Sequence, residues 1–298
     1  MSLLAHVRDM SRADPSLAAD RGIGETAIAE TAPDAVVDLF ALVTRLGDPV
    51  TLLLVVVGGY LLADQLDVPP ARMATALALA LGAFALTLAL KHAFVLPRPP
   101  GAAADGYGFP SGHALGATVV YGGLAALLAS RRGRVAAAAL IALVACSRVV
   151  IGVHYLVDVV AGTGVGIAYL AATLHAGAGW RPDDITAADA RRAFAIAVGV
   201  SLVALSVAVV RDTVVASAAA VGGLLGWQFA ADRIGDGLPS SRRRFAAALV
   251  VLPGVALVVG VVLEGGVSLP VAALLAGGIV ALLLALPGLS ASVSAKNV

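Results

Sequence analysis

Charged residues are scarce in this chain. Asp, Glu, Lys and Arg make up 13% of its 298 residues, whereas 60% are hydrophobic. A soluble globular protein has about 25% charged residues, so this chain cannot cover a folded surface with polar groups. Its long apolar runs instead predict an all-α, polytopic helical membrane protein.

Cysteine is scarce, and positive and negative charges nearly balance. The single Cys146 excludes a disulfide within the chain, and its apolar surroundings predict a buried small hydrophobic side chain. The net charge of +1 argues against a nucleic-acid partner. Residues 1–34 lack an apolar stretch long enough for a signal peptide, which predicts an amphipathic or partly disordered arm.

Nine apolar segments are long enough to cross a bilayer, which takes about 17 to 25 residues. They cover residues 48–64, 72–94, 112–130, 134–151, 156–176, 193–210, 213–231, 245–263 and 269–287. The preceding stretch, 34–47, is too short to cross and predicts an interfacial or packed helix. Gly162, Gly164 and Gly166 lie within one span, where small residues favour close helix packing.

Two breaks divide the chain into three parts. The loop after residue 94 is dense in Pro and Gly, and a polar linker follows residue 176. We therefore predict an N-terminal arm with an interfacial helix (1–47), a catalytic core of five spans (48–176) and a C-terminal four-span bundle (177–298).

Basic residues predict the orientation of the spans. When the spans alternate, one side of the membrane receives twelve Lys and Arg residues and the other receives eight. Because cytoplasmic loops carry the excess of basic residues, the side with twelve should be cytoplasmic. This places the protein in the cell membrane with the other face extracytoplasmic.

Ionisable residues at membrane depth are costly and therefore indicate function. Here they occur at one end of four predicted spans, and the alternation puts all four ends on the predicted extracytoplasmic face. The ionisable residues are Lys91 and Arg98; His113, which follows Ser111 and Gly112; and Arg148, His154 and Asp158. Segments far apart in sequence can thus converge on one pocket.

The residue types in this set predict phosphoryl transfer. Lys91, Arg98 and Arg148 are cations suited to phosphate oxygens, and the helix start at Ser111 and Gly112 offers free backbone N–H groups. Two histidines supply a nucleophile and an acid/base group. Asp158 follows His154 by four residues and can accept its Nδ1–H, leaving Nε2 free to attack.

Metal ligands are missing from this set. It has no acidic cluster for magnesium and no Cys/His grouping for zinc. We therefore expect catalysis without a metal or another cofactor.

Three motifs carry a family resemblance: K-x6-R-P at Lys91–Pro99, P-S-G-H at Pro110–His113, and S-R-x5-H-x3-D at Ser147–Asp158. Together they resemble the signature of the type 2 phosphatidic acid phosphatase superfamily. The resemblance covers about residues 48–176. It implies His154 as the nucleophile, Asp158 as its partner and His113 as the acid for the leaving group. It further implies that phosphate is bound by Lys91, Arg98, Ser111, Gly112 and Arg148.

The substrate stays open at this stage. A site at the membrane interface favours a lipid phosphate or a polyprenyl diphosphate, without a choice between them. Two alternatives remain: a lipid-linked phosphotransferase, and a phosphatase fused to a membrane transport module. Membrane embedding argues against a vanadate-dependent peroxidase of the same superfamily, and the sequence does not determine the oligomeric state.

Overall fold

A computed structural model of the protein describes residues 31–63, 65–178, 182–234, 253–254, 260 and 266–294. Helices dominate this described part, and it contains no β-strand. The predicted all-α fold is confirmed. Residues 1–30 of the predicted N-terminal arm lie outside the described residues.

The described ranges contain nine α-helices. In chain order they are α1 Asp34–Val43, α2 Pro49–Leu61, α3 Pro70–Phe94, α4 Gly112–Leu128, α5 Arg131–Val150, α6 Leu156–Thr173, α7 Ala187–Val207, α8 Arg211–Ile234 and α9 Leu269–Ser294. Pro49 and Pro70 occupy the first turns of α2 and α3, where proline costs no hydrogen bond. Helix α3 ends at Val95, whose φ of 56° turns the chain into the Pro-rich loop.

Several of these helices can cross a membrane. Five stretches are long and apolar enough by themselves: Pro70–Phe94, Arg131–Val150, Leu156–Gly177, Ala187–Val207 and Arg211–Ala231. A sixth results if Asp34–Gly47 and Pro49–Leu61, which meet at 49°, form one bent span, while Gly112–Leu128 and Leu269–Ala285 are shorter apolar helices. The predicted span 245–263 lies almost wholly outside the described residues. The chain is a multi-pass membrane protein.

The predicted interfacial or packed helix at 34–47 consists of α1 and a 3-10 turn, Thr44–Gly47. Helix α1 has no buried residue, whereas Thr44 and Gly47 in the turn are buried. This stretch contacts α4 and α5. A Cβ at Gly47 would lie 2.5 Å from Val144 Cγ1, so the close approach requires glycine.

Helix α3 is the common packing partner of both halves of the chain. It contacts α2 and α4 in the predicted core, and α7 and α8 in the C-terminal part. In the most apolar window of α3, 72% of the residues are buried, against 22% in α5. The C-terminal bundle remains a prediction as a separate domain, but its described helices α7 and α8 pack directly on the core.

Two of the three glycines in the predicted packing motif act as expected. A Cβ at Gly162 would lie 2.5 Å from the carbonyl oxygen of Ser111, and one at Gly166 would lie 2.9 Å from Thr118 Cβ. Gly164 faces open space, so the packing prediction was wrong there. The prediction that Cys146 is buried was wrong as well. Its side chain is exposed, because α5 turns this side of the helix away from the protein.

Candidate active site

The ends of α3, α4, α5 and α6 meet at one side of the protein. The backbone N–H of Ser111, just before α4, donates to the carbonyl oxygen of Asp158 in α6 at 2.9 Å. The N–H of His154 donates to the carbonyl oxygen of Arg148 at the end of α5, at 3.2 Å. These backbone bonds hold the second and third motifs together.

His154 lies between a carboxylate and a guanidinium group. Its Nδ1 is 3.3 Å from Asp158 Oδ2, and its Nε2 is 3.0 Å from Nη1 of Arg98. A guanidinium group can only donate, so the short contact to Arg98 is favourable when Nε2 carries the lone pair. The proton then lies on Nδ1, which donates a hydrogen bond to Asp158, and the lone pair remains on Nε2.

Burial and hydrogen bonding fix this arrangement. The side chains of His154 and Asp158 are 1% and 0% exposed. Asp158 Oδ2 also accepts the backbone N–H of Tyr155 at 3.1 Å, which ties the carboxylate to the first turn of α6. Since both the histidine and its partner have little freedom, the imidazole is held in one orientation.

The same burial keeps His154 neutral. Its pKa is lowered from 6.5 to about 3, chiefly by loss of solvation and also by the positive charges of Arg98, Arg148 and Lys91, against the opposing hydrogen bond to Asp158. Burial disfavours a charged imidazole because a low-dielectric surrounding cannot solvate it. A neutral imidazole retains the lone pair that a nucleophile needs.

Two of the predicted phosphate ligands are held by the loop between α3 and α4. Lys91 Nζ donates to the carbonyl oxygen of Tyr107 at 2.7 Å. Arg98 Nε donates to the carbonyl oxygen of Asp105 at 2.9 Å, and its Nη1 also donates to that of Val153 at 3.0 Å. Backbone carbonyls therefore position both cations, and neither cation forms an ion pair with a carboxylate within the part of the chain that the structure describes.

The predicted site residues fall into two groups around a cavity of about 550 Å³. Its wall includes Lys91, Arg98, Gly112, His113 and His154. The other three, Ser111, Arg148 and Asp158, are buried at 0%, 6% and 0% exposure and are not among the residues that line it.

Two of the buried residues keep unused polar atoms. Ser111 Oγ and Arg148 Nε have no hydrogen-bond partner among the described residues. Buried polar atoms are normally paired, so both atoms are suited to an anion bound at this place. The lack of a side chain at Gly112 lets the start of α4 lie close to α3. A Cβ at Gly112 would lie 2.8 Å from Thr87 Cγ2 and 3.8 Å from Lys91 Cε.

Asp48 is a site residue that the sequence reasoning missed. Its Oδ1 lies 2.7 Å from Nε2 of His113, across 65 residues of sequence. We had assigned residue 48 to the start of an apolar span. A carboxylate at the end of such a span was the available signal, because ionisable groups at membrane depth indicate function.

Thr44 was missed as well. Its Oγ1 accepts a hydrogen bond of 2.6 Å from Nη1 of Arg148, and the neighbouring carbonyl oxygen of Leu46 accepts one of 2.7 Å from the hydroxyl of Tyr121. Residues 44–48 therefore contact both α4 and α5, although they lie outside the three motifs.

The described residues contain no group of three His, Cys, Asp or Glu side chains placed to hold a metal ion. Lys91 and Arg98 line the cavity together with His154, and the carboxylate residues Asp105 and Asp212 line it as well. The two cations suit a phosphate anion, since Arg and Lys match its oxygens.

The family comparison agrees with this geometry. The family model of the PAP2 superfamily matches residues 71–182, a range that contains all eight predicted site residues. No curated protein and no solved structure matches the chain. Residues 71–182 of this multi-pass membrane protein are thus similar to the PAP2 superfamily, and this similarity suggests phosphatase activity on phosphate esters.

Proposed function

We propose that this protein is a metal-independent phosphatase that hydrolyses a lipid phosphate or polyprenyl diphosphate through a phosphohistidine intermediate. The observation that carries the proposal is the contact of His154 with both Asp158 and Arg98. It leaves a neutral, oriented Nε2 next to a cation that can bind phosphate.

In the first step, the substrate phosphate binds among Lys91, Arg98 and the start of α4 and takes the position beside Nε2. His154 Nε2 attacks phosphorus in line while the bond to the leaving oxygen breaks. Asp158 holds the Nδ1–H and stabilises the imidazole as it gains positive charge. His113 donates a proton to the leaving oxygen, and the cations stabilise the charge on the phosphoryl oxygens.

In the second step, water replaces the leaving group. His113, now without its proton, removes one from the water as the oxygen attacks phosphorus. The N–P bond breaks, inorganic phosphate is released, and both histidines return to their starting state. Atoms and protons balance without a further reactant.

The membrane setting supports a lipid substrate. The site lies where four helices end, so a phosphate can reach it while its hydrocarbon part stays in the bilayer. The distribution of basic residues further supports a site at the extracytoplasmic face of the cell membrane.

The direct test combines turnover with trapping of the intermediate. Purified protein in excess EDTA should release inorganic phosphate from a panel of lipid phosphates and diphosphates. Orthovanadate should inhibit it, because it mimics the trigonal-bipyramidal transition state. Acid-labile phosphate should be trapped on the wild type. Activity that is lost in EDTA and restored by magnesium would contradict the proposal, as would transfer of phosphate only to alcohols and never to water.

The side of the membrane is tested by cysteine labelling. The native Cys146 is first changed to Ala. A cysteine at the exposed Ala103, in the loop of the site, should react with an impermeant maleimide in intact cells. One at Gly133, at the start of α5, should react only after permeabilisation. The opposite pattern would place the site on the cytoplasmic face.

A further inference from the structure

The cavity of the active site continues far beyond the phosphate ligands. Most of its polar residues lie where α3 and α4 meet the loop, and Asp212 comes from the first turn of α8. The rest of its wall is apolar and comes from four helices: α2, α3, α8 and α9. Three of these, α2, α8 and α9, lie outside the family-matched residues 71–182.

The length of the cavity follows from its wall on α3. The lining residues of this helix run from Lys91 at the polar end to Leu77 at the apolar end. Fourteen residues of α-helix span about 21 Å at 1.5 Å per residue. This exceeds half of the hydrocarbon core of a bilayer, which is about 15 Å.

Helices α2 and α9 are joined by a hydrogen bond near the far end of the cavity. The Tyr60 hydroxyl at the end of α2 donates to the carbonyl oxygen of Leu284 in α9 at 2.9 Å, and this bond is buried. Leu284 directly follows Leu283, the last lining residue of α9 in chain order. The cavity thus runs from the active site to the depth of this bond.

The wall formed by α8 and α9 is tightly packed. A Cβ at Gly222 of α8 would collide with the carbonyl oxygen of Gly277 in α9, and one at Gly226 would lie 2.5 Å from the carbonyl oxygen of Ala281. The backbones of the two helices therefore lie in direct contact. Such packing favours a pocket that is largely formed before a ligand enters.

The two ends of the cavity require different chemistry from the same ligand. The polar end presents Lys91 and Arg98, which favour an anion, whereas Leu81, Ala219 and Val280 represent the apolar remainder. Contact between this apolar wall and water is unfavourable. A phosphate attached to a hydrocarbon chain satisfies both ends, and a water-soluble sugar or nucleotide phosphate satisfies only one.

We propose that α8 and α9, together with α2 and α3, form the binding channel for the hydrocarbon chain of the substrate and limit the chain length that the enzyme accepts. This inference rests on the proposed phosphatase function and identifies the substrate class as a lipid phosphate with a long chain. It gives the C-terminal helices a role in substrate selection.

The proposal is tested with a series of alkyl phosphates: butyl, octyl, dodecyl and hexadecyl phosphate. Ala219→Phe in α8 and Leu283→Trp in α9 narrow the channel at two depths. Each has a matched control on the outer face of the same helix, where Val221 is 41% and Leu274 is 76% exposed. The controls are Val221→Phe and Leu274→Trp, and size-exclusion profiles confirm that each variant is folded.

The measured quantity is the ratio of kcat/KM for hexadecyl phosphate to that for butyl phosphate. We expect Ala219→Phe to lower this ratio by roughly tenfold or more, since pocket contacts with a few methylene groups discriminate on this scale. Leu283→Trp should reduce turnover of hexadecyl phosphate while dodecyl phosphate is still accepted. This difference is expected because the two positions lie at different depths: Ala219 is about 12 Å and Leu283 about 21 Å from the start of its helix, at 1.5 Å per residue.

A binding experiment tests the channel without turnover. The His154→Ala variant is photolysed with hexadecyl phosphate that carries a diazirine at the end of its chain. We expect crosslinks at lining residues such as Ile279 and Leu283. Crosslinks confined to outward-facing residues such as Leu225 and Leu274 would overturn the proposal.

The outcomes separate the two proposals. If the wild type releases phosphate but Ala219→Phe retains the wild-type ratio of kcat/KM values, the channel proposal is contradicted and the phosphatase proposal is supported. If the wild type releases phosphate from none of the series or of the lipid panel, the phosphatase is wrong. The crosslinks then decide the channel alone.

Discussion

Two histidines in this protein contact a carboxylate, and the two pairs are built differently. His154 and Asp158 are four residues apart and are 1% and 0% exposed. His113 lies in α4 and Asp48 directly precedes α2, and the two are 20% and 42% exposed, with a shorter contact of 2.7 Å. The buried pair suits a neutral nucleophile with a fixed ring, whereas the partly solvated pair suits a group that gains and loses a proton.

The difference also concerns which ring nitrogen is engaged. Asp158 contacts Nδ1 of His154 and leaves Nε2 for attack, while Asp48 contacts Nε2 of His113. The transferable proton of His113 is then the one on Nδ1, and Asp48 stabilises the charged ring that donates it. In the proposed mechanism, similar residues thus serve nucleophilic attack in one pair and proton transfer in the other.

Removal of the nucleophile should give the largest effect. His154→Ala should lower kcat by at least about a thousandfold, because no other group at the site can form the covalent intermediate. Phosphate release measures the loss, and acid-labile phosphate on the protein should disappear with it. Turnover within about tenfold of the wild type would rule out His154 as the attacking residue.

Loss of the buried carboxylate should rank second. Asp158→Asn should lower kcat by about a hundredfold to ten-thousandfold, because the amide can hold the wrong tautomer of His154 and cannot stabilise its charge. Rapid-quench measurement of phosphohistidine formation should show that this first step is slowed. An unchanged rate of formation would assign Asp158 a purely structural role.

The other carboxylate should have a smaller and more selective effect. Asp48→Asn should lower kcat/KM for an alkyl phosphate by about tenfold to a hundredfold, within the contribution of general acid catalysis. It should matter less for p-nitrophenyl phosphate, whose leaving group needs no proton. Asp38→Asn, at an exposed position of α1, is the control. An equal loss for both substrates would mean that Asp48 only supports the fold.

The smallest expected effect concerns stability and pH. The folded-state pKa of His154 is lowered to about 3, so between pH 6.5 and about 3 the unfolded chain binds a proton that the folded protein does not. Stability from this group is therefore complete above pH 6.5 and is lost as the pH falls toward 3. The unfolding temperature in detergent should drop less from pH 7 to pH 5 in His154→Gln than in the wild type. His92→Gln is the control, and an equal drop in both variants would refute the linkage.

Much of the core site was predictable because its residues follow local rules. Asp158 lies one helical turn after His154, and the two meet as the helical period requires. Alternation of the spans also predicted that Lys91, Gly112, Arg148 and His154 would lie on one face, which the hydrogen bonds among their segments bear out. Spacing and topology were sufficient because each prediction needed only the direction of a helix.

Composition and span alternation thus determined the membrane class, the helical fold and the convergence of the three motifs. The tertiary structure alone decided which distant residues join them: Asp48 reaches His113, and Thr44 reaches Arg148. It also decided that α8 and α9 line the cavity that begins at Lys91. The physical reason is that apolar helices without charged faces carry no sequence signal for their partners in lipid. Their neighbours are selected by close packing, as at Gly222 and Gly277.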